Sequence, residues 1–200
     1  MEELIKLDAY PIRGLVGRLL QDKTTRKNLL FASDSYAGYG AGYRDNSQMT
    51  EGVMLGFDSC DIQPRVYKAA AEQTERTRKR AEVFTPAWIV NQMNNHCDAE
   101  WFGRADVFNH QEEQEWTVST DPVTFPEGKD WKQYVDSRRL EITCGEAPYI
   151  VSRYDTSTGE IIPIERRIGI LDRKLRIVNE NAADEAEWFK WAGIPKRLRL

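Results

Sequence analysis

Cysteine and histidine are scarce in this sequence, and the cysteines that occur are scattered. Cys60, Cys97 and Cys144 are odd in number and far apart, with no C-x-x-C pair, which argues against a disulfide framework and a structural zinc site. Two histidines, His96 and His110, add only the adjacent His96-Cys97 pair, too little for a metal centre. No apolar run approaches the roughly 18 residues of a membrane-spanning helix. The opening MEELIKLDAY has neither the charge pattern nor the apolar stretch of a secretory leader, so a cytoplasmic protein with no membrane partner is expected. Glycine strings are weak as well. GYGAG at 38–42 lacks the Lys-Ser/Thr of a phosphate-binding loop and reads as part of an irregular tyrosine-rich loop over 33–47.

The 200 residues, 40% hydrophobic and 30% charged, fit a soluble globular chain able to bury roughly 70% of its unfolded surface. The net charge of −4 does not advertise nucleic-acid binding, but its distribution is uneven. Arg65, Lys68, Arg76, Arg78, Lys79 and Arg80 crowd one stretch, and Arg166, Arg167, Arg173, Lys174 and Arg176 another. Such stripes can neutralise phosphates, although a solvated helix face is the simpler explanation of either one alone.

Along the chain, Ile12, Leu15, Val16, Leu19 and Leu20 predict a short helix within 8–22, with Pro11 near its start. A second helix is expected over 64–80. Thr85-Pro86 is a helix-start signal, with the hydroxyl as cap and proline in the first turn. The helix that follows is expected to bury a face built from Ile89, Met93 and Trp88 or Gln92. The acidic, proline-containing segment 109–136 reads as a long surface excursion leading into a short strand. Leu140 to Ile142 reads as a buried strand running into Cys144-Gly145-Glu146. The TSTG of YDTSTGEIIPI marks a hairpin over 154–164. Ile168, Leu171, Leu175 and Val178, spaced 3, 4 and 3 apart, predict a helix. A last one is expected at 184–192, with acid in its first turn. The order strand, turn, helix predicts an α/β fold, with α+β the alternative. It consists of a mainly helical region, 1–80, and a partial strand-turn-helix region, 81–200.

A ligand in such a fold sits beyond the carboxyl end of a strand. There a glycine admits close backbone approach and a carboxylate accepts hydrogen bonds, roles open to Gly145 and to Glu141 or Glu146. One glycine alone is a weak signal.

AEVFTPAWIVNQM, followed by RLEITCGEAPYIVSRYD and GILDRKLRIV, resembles the adenine-specific DNA methyltransferases of restriction–modification systems, and more closely the proteins called restriction endonuclease subunit M. In that family a Phe-Thr-Pro element opens a helix beside the cofactor. A (D/E)-x-x-x-G-x-G pattern cradles S-adenosylmethionine, and a helix with an R-K-L run follows. The resemblance implies a cofactor site at Phe84, Thr85, Pro86, Glu141, Thr143, Cys144, Gly145 and Glu146 in an incomplete Rossmann-like unit. It also implies double-stranded DNA as partner, facing Arg76, Arg78, Lys79, Arg80, Arg173 and Lys174. The last glycine of the cradle is replaced by Ala147, and a hairpin interrupts the usual turn into the helix. No (D/N/S)-P-P-(Y/F/W) loop, which would hold a flipped adenine, occurs in the sequence, so no residue is assigned as catalytic. The expectation is a truncated methyltransferase or one completed by a second chain. The alternative is a non-enzymatic DNA-binding or assembly protein with a decayed cofactor pocket. An endonuclease would need clustered carboxylates with a lysine, and Asp136 and Glu141 enclose no such motif.

Overall fold

In a computed structural model of the chain, residues 7, 8, 10, 12–56, 66, 78, 83–142 and 145–192 are described. They fall into two compact units, one within Met1–Ile62 and one within Gln63–Arg199. The architecture is α+β: short and medium helices with a two-stranded antiparallel sheet. No helix among the described residues is long and apolar enough to cross a membrane.

In the first unit the expected N-terminal helix forms as a 3-10 turn, Ile12–Leu15, running into a single α-turn, α1 (Val16–Leu19). The tyrosine-rich stretch is two 3-10 turns rather than a shapeless loop. The first, Asp34–Tyr39, is opened by the Ser33 hydroxyl accepting from the Ser35 amide. α2 (Glu51–Leu55) is capped by Thr50, whose hydroxyl accepts from the Val53 amide. These elements close over Val16, Phe31, Tyr43 and Met54. The Phe31 and Tyr43 rings lie 5.7 Å apart, and Tyr43 donates to the Val53 carbonyl.

The second unit is built on α3 (Ala87–Phe102), which Gly103 ends in a left-handed conformation. A hairpin follows, β1 (Asn109–Glu112) with β2 (Glu115–Val118), Gln111 opposite Trp116. Next come α4 (Trp131–Asp136), α5 (Ile170–Asn181) and α6 (Glu185–Ala192). In α4 Asp130 accepts from the Gln133 amide while the Gln133 side chain accepts from the Asp130 amide, a reciprocal cap.

The structure departs from several expectations. Leu140 to Ile142 is not a strand: Leu140 is 82% exposed and Ile142 62%, and no ladder forms at 140–142 among the described residues. The segment 109–136 is not a surface excursion. Its Val123 and Tyr134 pack with Phe102, Val107, Phe108 and Ile177 into one core cluster, and Tyr134 is fully buried. The inward face of α3 is not the one expected: Met93 is exposed, and Val90, Asn91, Asn94 and Asp98 point inward. The expected stripe of α5 is kept in part: Ile168 and Val178 are buried and Leu171 and Leu175 half-buried, but Ile170, Arg173 and Ile177 are buried as well. The helix expected over 64–80 lies almost wholly outside the described residues, with only Val66 and Arg78 among them.

Candidate functional site

The segments that carry Phe84 and Gly145 meet in space. Gly145 adopts φ +69°, and a Cβ built there would lie 2.5 Å from Cε1 of Phe84, so the ring of the first motif packs closely on the bare backbone of the second. Only glycine fits both the left-handed backbone and the close approach. Two positions on, Ala147 also has a left-handed backbone, φ 54°, at the place where the family pattern carries its last glycine.

The start of α3 is held from a distance. Thr85 does not cap it, and no side chain at the N-cap position, Pro86, can. Instead the Ala87 amide donates to Asp155 Oδ2 at 2.7 Å, 68 residues away in sequence, and the Thr156 hydroxyl donates to the Thr85 carbonyl at 3.0 Å. The donors that Asp155 gathers, Ser157 and the Ala87 amide among them, outweigh its burial and hold its carboxyl below the usual range. The expected hairpin exists, with Tyr154 bridging Ile161 and the Asp155 amide donating to the Glu160 carbonyl. It stands between the Gly145 loop and α5, as expected, and ties that loop to the start of α3 through Tyr154, Asp155 and Thr156. The interior between these pieces, lined by Ala87, Val90, Ser152, Thr156, Ile162 and Ile168, encloses no void that would take a water molecule.

The expected carboxylates are already engaged. Glu141 accepts from the Tyr149 and Ile150 amides at 3.1 and 3.2 Å. Glu146 accepts from the Tyr154 hydroxyl at 2.6 Å. At the start of α5 the Ile170 and Leu171 amides donate to the Tyr149 and Ile150 carbonyls, so this helix start is tied to the same loop. Gly169 permits that docking, since a Cβ would lie 2.6 Å from the Ile150 oxygen. Thr143 and Cys144 lie outside the described residues, as do Arg76, Lys79 and Arg80 among the expected DNA contacts. Arg78 is an exposed helical residue.

Arg173, expected to face DNA, is 2% exposed, which excludes a phosphate contact. It lies at the centre of a buried polar network. Its guanidinium donates to Asp98 Oδ2 at 2.6 Å, to Asn91 Oδ1 at 2.7 Å and to the Ile168 carbonyl at 2.9 Å. Asp98 also accepts from the Tyr134 hydroxyl at 2.8 Å, and burial pushes that phenol well above its ordinary range. Arg139 stands 3.4 Å from the same carboxylate. Asn91 donates to Asn109 and Gln111, and Asn94 to the carbonyls of Tyr149 and Ile168. A buried charge of this kind persists only when paired and hydrogen-bonded, as here. Lys174 is half-buried and donates to the Ser137 carbonyl at 2.5 Å. Burial, with the neighbouring Arg139 cation, lowers its pKa to about 8.

Sequence reasoning did not single out Asn91, Asn94, Asp98, Asn109, Tyr134 or Arg139. The signal was present in NQMNNHCD, a helical run whose inward positions are amides and an acid, incompatible with an apolar stripe.

Beyond this loop, an open groove of about 460 Å³ runs between α3 and the β1–β2 turn, lined by Trp88, Gln92, Asn95, Gln111, Glu113 and Gln114. No group of three or more metal-ligating side chains occurs among the described residues. Comparison with protein-family models, with curated proteins and with solved structures returns no match.

Proposed function

We propose that the chain is part of a DNA adenine methyltransferase of the restriction–modification type, with S-adenosylmethionine resting on the exposed side of Gly145. The observation that carries the reading is the packing of Phe84 on Gly145, which brings together the two motifs on which the resemblance depends. The left-handed backbone at Ala147 supports it, since a glycine there would adopt the same conformation without strain. In this reading the exposed Leu140 and Ile142 become covered when sheet strands, and a loop that holds the flipped base, are supplied by other polypeptide. The sulfonium already makes the methyl electrophilic, so the protein's task is orientation. Exposed guanidiniums at Arg78, Arg138 and Arg153 are the phosphate contacts of this reading.

A second reading is favoured by the carboxylates. Glu141 and Glu146 both hold protein partners, as expected of a DNA-binding or assembly protein whose cofactor pocket has closed. Calorimetric titration with S-adenosylmethionine separates the two. Saturable binding, abolished in Gly145→Asp and retained or tightened in Ala147→Gly, is expected on the first reading; a thermal melt of each variant distinguishes lost binding from lost folding. Absence of binding by both the folded chain and Ala147→Gly would reject the cofactor site. Salt-dependent DNA association would then be the property left to measure.

A further inference from the structure

The groove between α3 and the β1–β2 turn has an unbalanced polar lining. Gln111 is spent: its carbonyl oxygen accepts from Asn91, and its amide donates to the Trp88 and Glu113 carbonyls. Asn95 donates to Asn109 Oδ1 at 2.9 Å, which orients its own carbonyl oxygen as an acceptor with no donor among the described residues. Gln92 and Gln114 are exposed, line the groove and make no side-chain hydrogen bonds among the described residues. The acids of the turn differ among themselves. Glu112 faces His110, whose pKa is raised chiefly by its hydrogen bond to Asp106, and Glu115 pairs with Arg166 at 2.9 Å. Glu113 has no ion pair among the described residues, and it lines the groove.

The open lining therefore offers a carboxylate, a fixed carbonyl acceptor, two adaptable amides and a half-buried indole, with no cation. Such a set disfavours phosphates and carboxylates. It matches a planar cation that donates several hydrogen bonds in its own plane while its face lies on an aromatic ring. We propose that this groove is a binding site for the guanidinium of an arginine side chain presented by a partner polypeptide. The guanidinium stacks on Trp88 and donates to Glu113 and Asn95, with Gln92 and Gln114 closing over the rim. A compact ammonium could use Glu113 but not the in-plane fork of acceptors. The site is independent of the methyltransferase reading and uses none of its residues.

The test is a titration of the full-length chain with L-arginine amide, followed by the indole N–H and side-chain amide signals in NMR spectra. Saturable shifts confined to Trp88, Asn95, Gln92 and Gln114 are expected, with a Kd in roughly the millimolar range for one side chain in an open groove. L-citrulline amide, the neutral isostere, is expected to bind about tenfold more weakly. Glu113→Gln, an exposed substitution, should weaken arginine amide about threefold, the effect of a half-exposed ion pair. Absence of saturation overturns the proposal. So does equal binding of citrulline amide, an unchanged affinity in Glu113→Gln, or adenosine competing at the same signals with higher affinity.

Discussion

Replacing Arg173 with alanine removes the one fully buried cation that faces Asp98 among the described residues. The guanidinium is 2% exposed and donates to a carboxylate, a carboxamide and a backbone carbonyl. The Asp98 side chain, 2% exposed, would then keep only the Tyr134 hydroxyl, at 2.8 Å, and Arg139, at 3.4 Å, of its partners among the described residues. Stranding one member of a buried pair costs about 3–5 kcal/mol. The Arg173 guanidinium also lies 5.4 Å from the centre of the Phe108 ring, so packing is lost with the charge. Arg173→Ala is therefore expected to destabilise the second unit by about 3–5 kcal/mol. The double variant Asp98→Leu, Arg173→Met should lose less than the sum of its single substitutions, with a coupling above about 1 kcal/mol. Urea unfolding followed by tryptophan fluorescence isolates the transition, because all 6 tryptophans lie within Gln63–Arg199. A loss under about 1 kcal/mol, accompanied by weaker DNA association, would refute the buried network and return Arg173 to the surface role that its sequence neighbourhood implied.

Gly145→Ala places a methyl group 2.5 Å from the Phe84 ring on a left-handed backbone, and should cost about 1–3 kcal/mol. In a Phe84→Ala background the steric share disappears, so equal losses in both backgrounds would contradict the packing of the two motifs. Lys174, with a pKa of about 8 against an ordinary 10.5, binds its proton less readily folded than unfolded. Its contribution is therefore unfavourable below about pH 8 and is relieved as pH rises from about 8 towards 10.5. Lys174→Met should flatten the rise in stability across that window. An NMR titration of methylated lysines should place one midpoint far below the rest, and a uniform set of midpoints would contradict the burial of Lys174.

Local signals carried the punctuation of the chain. Thr85-Pro86, TSTG and the acid before WFKWA each marked an element boundary that the structure keeps within a few residues. These signals act over one helical turn or one tight turn, so neighbouring residues suffice to read them. The faces of α3 and α5 were not legible in that way. Periodicity counts apolar residues, and both helices bury polar ones: Asn91, Asn94 and Asp98 on one, Arg173 on the other. Arg173-Lys174-Leu175 looked like an exposed basic run because the carboxylate that neutralises it stands 75 residues earlier in the chain.

The sequence by itself determined the scarcity of cysteine and histidine, the start of α3 at Thr85-Pro86, the hairpin turn at TSTG and the acid that opens α6. Only the tertiary structure decided which charges are buried, that Asp155 rather than Thr85 satisfies the start of α3, and that Leu140 to Ile142 stays outside the sheet. The division has a physical basis. Turn and cap preferences are set by backbone sterics over a few residues, whereas a buried ion pair or a distant cap is stable only when chain closure brings complementary groups out of water together.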